Sequence, residues 1–173
     1  YCFGLAYFEQ IFRRGLRSNN PILQPKPMQN AETLLSLPKD AWVDDLSALS
    51  WAFHDDFSHL FTGKRKAYLN PTFDGSKDIG GADADLVVDG CLIDLKVVTQ
   101  LHMDDYILQL LGYALLDYND KYKIRDIALY LARHRMMLRW PLEELLSQLS
   151  DGEVQPLEDL RRQFKGVLST LDR

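Results

Sequence analysis

The chain has 173 residues, of which 46% are hydrophobic and 26% charged, with a formal net charge of −5; these are the proportions of a globular domain able to bury a sizeable core. No run approaches the roughly 18 uninterrupted apolar residues of a membrane span, and no basic–apolar–small pattern marks a signal peptide. The acidic balance weighs against a protein that holds nucleic acid by bulk charge. It leaves room for basic patches at Arg13, Arg14 and Arg17, at Lys64, Arg65 and Lys66, and at Arg133, Arg135 and Arg139, each of which reads first as solvated surface. Cys2 and Cys91 form neither a metal-ligand spacing nor a disulfide framework, which fits a reducing cytoplasm. The chain opens on Tyr1 rather than Met, so a start further upstream, in a longer parent chain, is expected.

Residues 5–12 read as a short helix stopping at Gly15, and the polar, proline-bearing stretch 18–27 as a loop. Asn30 suits the N-cap of a short helix that Pro38 breaks, and Asp40 the N-cap of a long helix reaching about Phe61. In that helix Trp42, Leu46, Leu49, Phe53, Phe57 and Leu60 step by three and four, the spacing of an amphipathic face. The period then changes. Residues 70–76 read as a short strand, 84–88 and 91–98 as β-rich runs, 101–118 as a strongly apolar helix and 126–132 as a buried strand. Pro141 and Pro156 open two further helices, to about Leu149 and Leu171. The order predicts a mixed α/β domain with a small central sheet. Its expected organisation is an N-terminal helical segment over 1–66 packing on a core over 67–140, then C-terminal helices over 141–173, together one compact domain.

Asp89-Gly90 between two β-rich runs predicts a two-residue hairpin, because both turn positions need positive φ. The loop fixes the register: Val88 faces Cys91, Val87 faces Leu92, Leu86 faces Ile93, Asp85 faces Asp94 and Asp83 faces Lys96. Asp83, Asp85, Asp94 and Lys96 then share one face. Two carboxylates directly across a ladder have Cβ atoms roughly 4.5–5.5 Å apart and repel. A divalent cation relieves that repulsion. Lys96, one pleat along, can hold an attacking water or a developing phosphorane charge, and the Leu95 carbonyl can supply another oxygen ligand. A metal with an ammonium beside it is the equipment of phosphodiester hydrolysis. The plain alternative is a solvated hairpin face with Asp83 and Lys96 as a cross-strand pair.

The stretch GGADADLVVDGCLIDLK over 80–96 resembles the core of the PD-(D/E)xK nuclease superfamily, with Asp85 matching its first aspartate, Asp94 its second acid and Lys96 its lysine; Ala84 stands where the family has proline. Downstream, QLLGY over 109–113 resembles the Q-x-x-x-Y motif of the RecB-type branch. The resemblance covers about 70–135. It implies a restriction-endonuclease-like core, a small mixed sheet flanked by helices, with an extra N-terminal helical segment. It also implies a Mg²⁺- or Mn²⁺-dependent DNA nuclease, of the kind used in repair, recombination or defence against foreign DNA.

Asp105, Gln109, Tyr113 and Asp117 recur at i+4 along the apolar helix and make one polar stripe. Beside the hairpin, Gln109 and Tyr113 can face the metal site and contact a phosphate, which the resemblance implies as well. Gly112 would let a backbone or the substrate come close. His102 reads as a surface or capping residue more readily than as a proton carrier. Arg133 and Arg135 either grip the DNA backbone or are solvated. Many members of the superfamily carry another acid on a helix before the first strand; Asp56 and Glu9 both fit that place, and either could instead pair with an arginine. The rival readings are a catalytically silent nuclease-fold module that binds nucleic acid or protein partners in a larger assembly, and an RNA-processing or other phosphodiesterase on the same core.

Overall fold

A computed structural model of the chain describes residues 1–15, 17, 20, 22, 30–152 and 155–171; the loop expected at 18–27 lies outside the described residues except at Asn20 and Ile22. They form two compact units, 1–51 and 52–173. Among the described residues no helix is long and apolar enough to cross a membrane.

In the first unit, α1 (Cys2–Arg14) ends at Gly15, whose φ of 72° only glycine adopts readily. Asn30, extended at φ −152°, caps α2 (Ala31–Leu35) by accepting a hydrogen bond from Thr33 N at 2.9 Å. Helix α3 (Asp40–Phe57) runs across the unit boundary. Asp40 is its first residue rather than its cap, and a 3₁₀ turn, Ser58–Phe61, follows it. The apolar spacing of α3 promises a buried face, yet Trp42, Leu46 and Trp51 are all exposed and only Phe57 is fully buried.

The second unit holds a five-stranded sheet in the order β1 (Ala67–Leu69), β2 (Leu86–Val88), β3 (Cys91–Lys96), β4 (Asp126–Leu131), β5 (Met136–Pro141). All neighbours are antiparallel except β3 and β4, which run parallel. A parallel pair needs a crossover, and α4 (Met103–Leu116) supplies it between these two strands. The α/β expectation holds at that level, with two corrections. Residues 70–76 are not a strand: Asn70 at φ 46° turns the chain, Thr72 makes a single bridge to Asp83, and Asp74–Ile79 is a 3₁₀ turn. The strand β5 was not expected at all.

Both faces of the sheet are covered, which is why its central strands read as near-continuous apolar runs. Toward α4, Val87, Leu92, Ile127 and Leu129 pack with Leu110 and Ala114, none of them accessible to water. On the other face Leu86, Ile93, Ala128 and Tyr130 are buried, and the rings of Phe57 and Phe53 lie 4.4 and 5.7 Å from that of Tyr130. Helix α5 (Leu142–Leu149) packs on β5 and α6 (Leu157–Leu171) on α4; both begin just after their prolines. At the end of α4, Asp117 is fully buried, accepting from the backbone N–H of Lys121 and Tyr122 at 3.0 and 3.1 Å, with Arg161 at 3.6 Å. Burial pushes its carboxyl above the usual range, against the pull of those donors. Asp117 therefore belongs to the helix end, and the polar stripe of α4 stops at Tyr113.

Candidate active site

Asp89 and Gly90 have φ of 49° and 81°, the paired left-handed turn that the Asp-Gly dipeptide favours. The register expected from it is the one observed: Val88 with Cys91, Val87 with Leu92, Leu86 with Ile93. There the ladder stops, short of the expected Asp85–Asp94 and Asp83–Lys96 pairs. Beyond Leu86 the backbone stays with the first-strand side, Asn70 N donating to Asp85 O at 3.0 Å and Asp83 bridging Thr72. The N–H of Leu95, left without a strand partner on that edge, donates instead to Asp85 Oδ2 at 2.7 Å. A carboxylate thus completes the ladder where the strand ends, and this holds Asp85 beside β3.

Asp94 is 4% exposed. Its Oδ2 lies 2.6 Å from Lys96 Nζ, but the approach has not the angles of a hydrogen bond, and this buried oxygen has no hydrogen-bond donor. Lys96 donates to Gln109 Oε1 at 2.7 Å, and Gln109 Nε2 donates to Tyr113 OH at 2.8 Å. The four residues form one line from the hairpin to α4. Burial raises the Asp85 carboxyl above its usual range; the Leu95 N–H opposes the rise, and the charges of Asp94 and then Asp83 add to it. Burial likewise raises Tyr113, with the fields of Asp94, Asp83 and Asp85 adding to the effect. Three carboxylates therefore act on the same small region at the C-terminal ends of the parallel strands, the end at which α/β sheets commonly receive ligands.

The structure brings Asp85, Asp94, Leu95, Lys96, Gln109 and Tyr113 together. It separates the others. Register partners in the parallel pair share a face, so Asp94 faces with Leu129 and Leu95 with Tyr130. Asp56 accepts from Tyr130 OH at 3.1 Å and from Arg135 Nε at 3.2 Å, which places it on the sheet face away from Asp94. The Arg135 guanidinium holds the Asp56 carboxyl below its usual range. Arg135 is thus engaged by an acid, and Arg133 is exposed just past β4. Glu9, in the first unit, pairs with Arg13 at 3.0 Å. His102 sits at the N-cap of α4 without a side-chain capping bond. Gly112 has open space where a Cβ would stand, with no atom of the described residues beyond its own stretch of helix within 4 Å of that position.

Two residues of the site were missed. The Tyr106 ring centroid lies 4.7 Å from Lys96 Nζ, and Phe73 stacks on Tyr113 with centroids 5.6 Å apart. Tyr106 was within reach of the sequence, since it precedes Gln109 by three and shares its side of the helix. Phe73 had no such signal. Among the described residues no three His, Cys, Asp or Glu side chains converge as a metal-holding group. Comparison of the chain with protein-family models, with curated proteins and with solved structures finds no match.

Proposed function

We propose that the chain is a metal-dependent DNA nuclease of the PD-(D/E)xK superfamily, RecB-type branch, with a restriction-endonuclease-like core in its second unit. One observation carries the reading: the hydrogen bond from Lys96 to Gln109 joins the hairpin acids and the Gln–Tyr pair, two separate stretches of sequence, into one site. The donor set fits Mg²⁺ or Mn²⁺. Both carboxylates are hard oxygen ligands; buried Asp94 Oδ2 accepts no hydrogen bond, and the cation now beside it is the Lys96 ammonium at 2.6 Å. Asp85 and Asp94 would hold the ion with the Leu95 carbonyl. When bound, such an ion polarises a phosphate oxygen and acidifies water. Lys96 then orients the attacking water and offsets charge on the phosphorane oxygens, and Gln109 and Tyr113 hold the strand by its phosphate.

The test is cleavage of matched single-stranded DNA, double-stranded DNA and RNA oligonucleotides with and without Mg²⁺ or Mn²⁺. DNA cleavage that depends on the metal and falls at least about 100-fold in Asp94→Ala and in Lys96→Ala is expected; cleavage that survives both changes sinks the reading. A second reading, a silent nuclease-fold module that binds nucleic acid or protein partners, is favoured by the lack of a third converging metal ligand among the described residues. Calorimetric titration with Mn²⁺ separates the two: the nuclease shows binding that Asp85→Ala and Asp94→Ala remove, the module none.

A further inference from the structure

Building on the nuclease reading of this site, we propose that Tyr106 is the positioning residue for Lys96, its ring face holding the ammonium at the α4 side of the site beside Gln109. The pull to be countered is plain. Lys96 Nζ lies 2.6 Å from Asp94 Oδ2, and Asp85 also feels its charge. Asp94 thus holds the ammonium as its counter-ion, at a place that a divalent cation would compete for.

Two neighbours on α4 hold it from the other side. Gln109 Oε1 accepts from Nζ at 2.7 Å, and the Tyr106 ring stands with its centroid 4.7 Å away, within the range at which the negative face of an aromatic ring attracts a cation. Gln109 is a flexible side chain, steadied by Tyr113 OH. Tyr106 is fixed at both ends: its N–H donates to His102 O in the first turn of α4, and its hydroxyl reaches Gln100 O on the loop after β3 at 3.4 Å. The ring also covers the ammonium, and the Lys96 side chain keeps only 17% of its surface. A desolvated cation is where such a contact is strongest. The acids around this site are Asp83, Asp85 and Asp94 from the hairpin and Asp105, in the first turn of α4 on the stripe of Gln109 and Tyr113.

The experiment labels lysines of the full chain with ¹³C and ¹⁵N and assigns Lys96 by its loss in Lys96→Ala. In the wild type the Lys96 ε-CH₂ protons are expected upfield of those of the other lysines, shifted by the ring. Tyr106→Phe keeps that shift and Tyr106→Leu abolishes it. In Mg²⁺-dependent cleavage, Tyr106→Leu is expected to lose about tenfold in kcat with KM little changed, and Tyr106→Phe to stay near the wild type. No ring shift in the wild type, or equal damage from Phe and Leu, overturns the proposal. The wild-type spectrum needs no variant to fold and no cleavage to occur, so a chain that cuts nothing refutes the nuclease reading alone, and the shift still decides whether Tyr106 holds Lys96.

Discussion

At Asp85 one carboxylate serves two ends that conflict. Its Oδ2 completes the ladder by accepting from Leu95 N–H, and its charge stands in a half-buried place close to Asp94. Burial raises its folded-state pKa, so the folded protein holds the proton more tightly than the unfolded chain. The sign follows. Below the usual carboxylate range the group is protonated in both states and costs nothing; as pH rises from there through the raised folded value, stability is lost, and above it the full cost remains. Asp85→Asn keeps the acceptor and removes the charge. In EDTA at neutral pH it should melt higher by about 2–4 °C, the effect of roughly 1 kcal/mol in a domain of this size, with the advantage vanishing as pH falls below the carboxylate range. The same change should abolish metal-dependent cleavage. A variant that melts lower at neutral pH would mean that the Asp85 charge is already compensated in the free protein.

At the scale of elements the hairpin is the piece most legible in the sequence, and the reason is geometric. Two consecutive positive-φ positions admit few dipeptides, and Asp-Gly is among the best. Gly90 carries a second constraint. A Cβ there would overlap the Lys123 carbonyl, and Gly90 O accepts from Arg125 N at 2.8 Å, tying the turn to the start of β4. Gly90→Ala should therefore cost about 2–3 kcal/mol, from left-handed strain plus the displaced contact, read as a lower urea midpoint at unchanged m. Gly112, in mid-helix with nothing near, predicts the reverse: Gly112→Ala should gain about 0.5–1 kcal/mol. What the sequence concealed was concealed by side chains and by unusual turn residues. The ladder ends early because the backbone before Leu86 stays with Asn70 and Thr72, and the Asp85 side chain then takes the Leu95 donor, which periodicity cannot report. The turn into β5 uses Arg135 at φ 48° where a glycine would have announced it, and β5, half exposed along its length, lacks a clean alternation. Asn70 at positive φ ended a strand reading that its neighbours favoured. The apolar spacing of α3 records a face and not what covers it.

For the whole molecule, net charge and its pairing bear on how nucleic acid would be held. The formal charge is −5, and the structure engages much of the positive charge with acids: Arg135 with Asp56, Arg139 with Asp126, Arg65 with Asp89, Arg161 and Lys123 with Asp120. A protein that grips duplex DNA through many phosphates releases many counterions, and its affinity falls steeply with salt. Here the contacts placed at the proposed site are few: Lys96, Gln109 and Tyr113 around one phosphate. The salt dependence should therefore be shallow. Anisotropy of a labelled oligonucleotide with the non-cleaving Asp85→Asn variant, which keeps Lys96, and Mg²⁺ should give a slope of log K on log salt of about −1 to −3, against roughly −5 to −9 for a protein making six to ten phosphate contacts. A slope in the steep range would mean that the surface ion pairs open on binding and that the basic patches, not the hairpin site, carry the affinity; Arg135→Ala would then flatten it by about one unit, where the shallow case predicts no change.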